Sequence, residues 1–111
     1  MNIKYSGIYH EQITIISPDE SITVWIDKLG YPEELDELYN TENYLLKIYF
    51  DDINDDDGLM IMLMSEFHLQ DFVTKLAYLI SGDLFLKEIF PIIISYTNDN
   101  KIRILDIKRG F

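Results

Sequence analysis

Asp51, Asp52, Asp55, Asp56 and Asp57 fall within seven positions and are closed by Gly58, the densest group of potential ligands in the chain. Clustered hard oxygens are what a calcium ion takes. Aligning Gly58 with the obligatory glycine of an EF-hand loop puts Asp55 and Asp57 at ligand positions. The first and last ligand positions then fall on Ile53 and Met64, which cannot coordinate. The flanking residues also read as strands, where an EF-hand needs helices. An EF-hand is excluded, and at most the roughly millimolar calcium affinity of any acidic loop is left. We expect no metal site and no cofactor. The run is then either a solvated turn or part of a surface for a positively charged partner.

Other chemistry is sparse. The histidines are His10 and His68. His68 has Asp71 three residues on and Lys75 a turn beyond, a polar stripe at helical spacing that reads as a solvent face. A His–Asp pair can orient a general base, but no serine nearby has the context of a nucleophile elbow. His10 beside Glu11 reads as a turn. The chain has no cysteine, which excludes a disulfide framework, a thiolate zinc site and a cysteine nucleophile together. No glycine-rich phosphate loop or zinc spacing is present. No catalytic residue is assigned, and the expectation is a protein that is not an enzyme.

The distribution of charge is more informative than its total. The formal net charge is −11, from 20 acidic and 9 basic side chains. Between Asp19 and Asp57 there are thirteen acids against Lys28 and Lys47, so this segment carries the whole imbalance. Such a surface repels nucleic acid, whose phosphates need cations, and draws basic partners. Apolar residues make up 48 % of the chain, too many for a disordered acidic tail. At 111 residues the expectation is one globular domain spanning residues 1–111. The first residues carry no apolar stretch of a secretory leader, and no run is long enough to span a bilayer. A cytoplasmic protein is expected.

The elements that must position these charges follow from periodicity. Residues 17–30 predict a helix: Ser17 as cap, Pro18 in the first turn, Glu20 completing a capping box, and Ile22, Trp25, Ile26 and Leu29 as a buried stripe. Residues 31–40 predict a second, shorter helix. Residues 43–50 alternate as a strand, and residues 58–65 form an apolar run suited to an internal strand. Together they make a hairpin with the aspartates at its tip. Residues 66–82 return to helical period, with Leu69, Phe72, Val73, Leu76, Leu79 and Ile80 on one side. Residues 83–91 predict a short helix stopped by Pro91, and residues 92–109 a β-hairpin with a bulge near Ile104 and Leu105. Residues 13–17 add a strand with which residues 2–9 can pair. The sum is an α+β fold, an antiparallel β-sheet of about five strands with two to four helices packed against it.

This profile resembles the small acidic immunity proteins of bacterial contact-dependent growth inhibition and related polymorphic toxin systems. The likeness covers the whole chain: about a hundred residues, no cysteine, an acidic face on an α+β body and no catalytic motif. The resemblance implies an antitoxin that binds a cognate toxin protein, often a basic nuclease, and blocks it by stoichiometric contact. The positions come from the charge distribution: Glu33, Glu34, Asp36 and Glu37, with Asp51, Asp52, Asp55, Asp56 and Asp57, are the expected partner-binding residues. Tyr31, Tyr39, Tyr44 and Tyr49 lie in the same segment, and tyrosine is favoured at binding hot spots. Two alternatives stand beside it: a nucleic-acid-mimicking inhibitor of a DNA- or RNA-acting enzyme, and a small ligand-binding domain or enzyme with a pocket between helices and sheet.

Overall fold

Strict alternation of buried and half-buried side chains from Ile22 to Lys28 marks an extended segment covered on one side. The computed structural model describes residues 2–7, 11–29, 43–52, 55–82 and 84–109. In chain order these form β1 (Asn2–Ser6), β2 (Gln12–Ile16), β3 (Ile22–Lys28), β4 (Asn43–Asp52), β5 (Asp55–Ser65), α1 (Glu66–Ile80), α2 (Leu86–Asp99) and β6 (Arg103–Arg109). The strands make one antiparallel sheet in the order β1-β2-β3-β4-β5-β6. The fold is thus α+β, and the described residues form six strands, where about five were expected, and two helices. Among the described residues no helix is long and apolar enough to cross a membrane.

Cross-strand register builds the core in rows. Ile13, Ile26, Ile48, Met60 and Ile107 face one another across β2 to β6, and Ile15, Val24, Phe50 and Gly58 form the next row. Onto this face α1 lays Leu69, Phe72, Val73, Leu76, Ala77 and Ile80, and α2 lays Leu86, Ile89, Phe90 and Ile93. Met60, Met62 and Met64 are all buried, flexible thioethers filling the seam between sheet and helices. Phe90 stands edge-on to Phe50, ring centres 4.9 Å apart. A Cβ on Gly58 would lie 2.6 Å from the Phe90 ring, so a bare α-carbon is what lets α2 sit this close.

Two expected elements are different in the structure. The predicted helix over residues 17–30 is a turn followed by β3. Ser17 N donates to Ile22 O (3.0 Å) and Glu20 N to Ser17 O (2.9 Å), so Ser17, Pro18, Asp19 and Glu20 form a tight turn. Serine, proline and aspartate serve a turn with the same local hydrogen bonds as a helix start. Trp25 is consequently not core: it is half-buried on the sheet face away from the helices, and Leu29 is exposed.

The predicted 92–109 hairpin is the rest of α2 followed by β6. Pro91 does not stop the helix, because it lies on the exposed side and removes a donor only from the carbonyl of the equally exposed Lys87. The helix instead ends at Asn100, where Lys101 takes a left-handed φ of 57° and Ile102 N donates back to Thr97 O (2.9 Å). The expected bulge is present in β6: Asp106 pairs with Ile61 and Ile104 with Met62, which leaves Leu105 between them. The predicted helix at 31–40 lies outside the described residues.

The Gly58–Phe90 contact is testable by a double-mutant cycle. Gly58→Ala should lower stability to urea by about 1–3 kcal/mol through overpacking. In a Phe90→Leu background the same change should cost clearly less, because the atom it collides with is gone.

Candidate functional site

The β3–β4 register, with Ile22 opposite Asp52 and Thr23 opposite Asp51, sets the β2–β3 turn beside the β4–β5 hairpin. In that hairpin Asp52 pairs with Asp55, and the register shifts between Phe50 and Asp52. The aspartates are therefore at a hairpin end, as expected from sequence. Asp51 is exposed on β4, while of Asp52, Asp55, Asp56 and Asp57 the backbone is described. Glu33, Glu34, Asp36 and Glu37 lie outside the described residues.

Asp19 and Glu20, which the helical reading placed elsewhere, belong to the same end of the sheet. Asp19 organises its turn. Its Oδ1 accepts from Ser21 Oγ (2.7 Å), Ser21 N (3.1 Å) and Ser17 Oγ (2.8 Å). The buried Ser17 hydroxyl in turn accepts from Ile22 N (3.0 Å), so this buried hydroxyl both donates and accepts. These hydrogen bonds, those of Ser21 foremost, hold the Asp19 carboxyl down from 3.8 to about 2. Glu20 adopts a left-handed φ of 62°. Glycine is the unstrained residue there, and a side chain costs about 1–2 kcal/mol. A carboxylate kept at a strained turn position is the kind of feature that gathers at functional sites.

Behind this acidic end lies the outer face of the sheet. Trp25, Tyr49 and Leu59 are direct neighbours across β3, β4 and β5, one row in from Thr23 and Asp51. Tyr49 is 36 % exposed and the other two are half-buried, with no described helix over them. Asp27, Lys47, Ile61 and Asp106 form the following row, with opposite charges facing each other on β3 and β4. Tyr44, by contrast, points to the helical side beneath Lys28 (4.8 Å from the ring centre), and Tyr31 and Tyr39 are outside the described residues.

The His68 stripe is on α1. His68 N donates to the Ser65 hydroxyl that caps the helix (3.4 Å), and its ring packs edge-on to Phe67 at 5.3 Å. Asp71 accepts a hydrogen bond from the Tyr96 hydroxyl on α2, so it ties the helices together where an oriented base would need it on His68. Burial first, then the hydrogen bond and charge of Asp71, push the Tyr96 phenol from its ordinary 10.0 up to about 12. Among the described residues no cluster of three or more histidine, aspartate or glutamate side chains is placed to hold a metal ion. Comparison with protein-family models, with curated proteins and with solved structures yields no match.

Two titrations follow. Asp19 is depressed on folding, so its stabilisation is present above pH 3.8 and is lost as pH falls through about 2. Asp19→Asn should therefore lower thermal stability at neutral pH and flatten the stability profile across that acid window. Tyr96 is raised, so its contribution is complete below pH 10 and is lost as pH rises through about 12. In Asp71→Asn the phenolate absorbance of Tyr96 should appear at lower pH than in the parent protein.

Proposed function

We infer that this chain is an immunity-type inhibitor: a bacterial cytoplasmic protein that binds a cognate toxin domain of basic, nuclease-like character and neutralises it by occupying its working surface. The observation that carries this reading is the meeting of an acidic turn with the acidic end of a hairpin. Asp19 and Glu20 on one, and Asp51, Asp52, Asp55, Asp56 and Asp57 on the other, share one end of the sheet. A concentration of carboxylates at one end of a protein speeds encounter with a cationic partner, to about 10⁸–10⁹ M⁻¹s⁻¹ where steering is strong. The adjoining row of Trp25, Tyr49 and Leu59 supplies the aromatic, half-exposed surface in which binding energy concentrates. Charge then governs association, and the aromatic row governs residence time.

A nucleic-acid mimic would carry its acids along an extended face at near-regular intervals. Seven of the described acidic positions, Asp19, Glu20, Asp51, Asp52 and Asp55 to Asp57, gather at one end of the sheet, and on the outer face beyond them Asp27 is set opposite Lys47. The arrangement fits a localised contact with a basic protein better than the imitation of a duplex.

The test is affinity capture from the native host, at low salt and again at about 0.5 M, where the Debye length falls well below 10 Å. The expected result is one basic protein recovered in equal amount at low salt, whose toxicity on expression is suppressed by co-expression of this chain. Replacing Asp51, Asp55, Asp56 and Asp57 by Asn should slow its association at least about tenfold and flatten the salt dependence. A partner that associates equally fast with the parent and the variant would remove the acidic end from the interface.

A further inference from the structure

The two described helices do not span the full width of the six described strands. Six strands about 4.8 Å apart span roughly 24 Å, whereas two packed helices cover about 20 Å. The shortfall falls at the β1–β2 side, beside α1, and leaves a cavity of about 280 Å³. Its apolar wall is Ile13 from β2 with Leu69 and Val73 from α1; Tyr5, 51 % exposed on the edge strand, and Gln70 flank it. At one side are Lys28 and Glu66, their Nζ and Oε2 3.2 Å apart.

Lys28 is out of place for a structural residue. Its row in the sheet continues through Leu46, Met62 and Ile104, the first two fully buried, and its own side chain is only 12 % exposed. An apolar side chain at this position would pack at least as well, since burying an ion pair brings little net stability. Among the described residues neither member of the pair has its full set of hydrogen-bond partners. An ammonium has three donors and a carboxylate about four acceptor sites. Lys28 gives one donor to Glu66 and lies over the Tyr44 ring, while Glu66 is 53 % exposed. The cavity thus presents a cation and an anion side by side, next to an aliphatic wall.

We propose that this cavity binds a small zwitterion with an apolar body, a free α-amino acid of leucine or phenylalanine size. Its carboxylate meets Lys28, its ammonium meets Glu66, and its side chain lies against Ile13, Leu69 and Val73. A simple anion would be repelled by Glu66 and a simple cation by Lys28, whereas a zwitterion turns one ion pair into two. The volume is below the range of drug-sized pockets, about 300–1,000 Å³, which sets the size of the ligand. The site is separate from the acidic end, and the proposal does not rest on the inhibitor reading.

The test follows the methyl resonances of Ile13, Leu69 and Val73 during titration with phenylalanine, leucine, phenethylamine and 3-phenylpropionate. Saturable shifts are expected for the amino acids, with each single-charge probe at least about tenfold weaker, the loss expected for one charge-assisted hydrogen bond. Lys28→Met should abolish the preference for phenylalanine over phenethylamine, and Glu66→Gln the preference over 3-phenylpropionate. Gln70→Trp, which blocks the rim from an exposed position, should prevent binding without loss of stability. Absence of saturable shifts with the amino acids up to about 10 mM, a limit corresponding to very weak affinity, overturns the proposal. So does equal binding of the single-charge probes.

Discussion

The pairing of β3 with β4, from Ile22 opposite Asp52 to Lys28 opposite Leu46, is the constraint on which the rest of the structure depends. It turns Val24 and Ile26 into the core and Trp25 outward beside Tyr49. It also brings the Ser17–Ser21 turn to the aspartate hairpin, and Lys28 over Tyr44 within reach of Glu66. Side chains alternate with period two, so a slip of one residue would invert every one of these placements. The slip is prevented by burial: it would expose Ile22, Val24 and Ile26 and drive Thr23, Trp25 and Asp27 beneath the helices. Asp19 fixes the entry to β3, because its three hydrogen bonds close the turn that sets where the strand begins.

Among the described residues, both helices cover the same face of the sheet. The connection from β5 to β6 runs through α1 and α2 on a single face, where the contact of Phe90 with Phe50 and Gly58 anchors α2 against the sheet. On the opposite face the half-buried aromatic row is left beside the acidic end. On the covered face the width of the sheet exceeds that of the helices, and the cavity at Lys28 results. Surface and cavity come from one architectural fact but make different demands on a ligand. The outer face offers area and negative charge, suited to a macromolecule. The cavity offers a small, partly open volume with a paired cation and anion.

Where local periodicity and tertiary packing agree, the sequence was readable. The β4–β5 hairpin, the tip aspartates and the buried stripe of α1 were all legible, and so was the bulge at Leu105. Two segments failed for physical reasons. In residues 17–30 the Ser-Pro-Asp-Glu turn uses the chemistry of a helix cap. Ile22 and Ile26 fit either period, so the choice fell to pairing with β4, which is non-local. The β-branched run Ile22, Thr23, Val24 was the available signal for a strand. In residues 92–97 the isoleucines read as a strand, yet Ile89, Phe90, Ile93 and Thr97 bury at helical spacing and packing overrides propensity. The first of these errors also hid part of the candidate site. Read as a helix, Asp19 and Glu20 were distant from the aspartate tip and Trp25 was core, whereas as turn and strand they adjoin Asp51 and Tyr49.

The central claim is that a basic partner docks on the acidic end and the adjoining outer face, leaving the helices free. Amide hydrogen exchange on the complex with the captured partner tests it most directly, because protection is read segment by segment. The account predicts slowed exchange in residues 17–23 and 49–59 together, with α1 and α2 unchanged. Protection concentrated on α1 and α2, with both acidic segments exchanging as in the free protein, would contradict it.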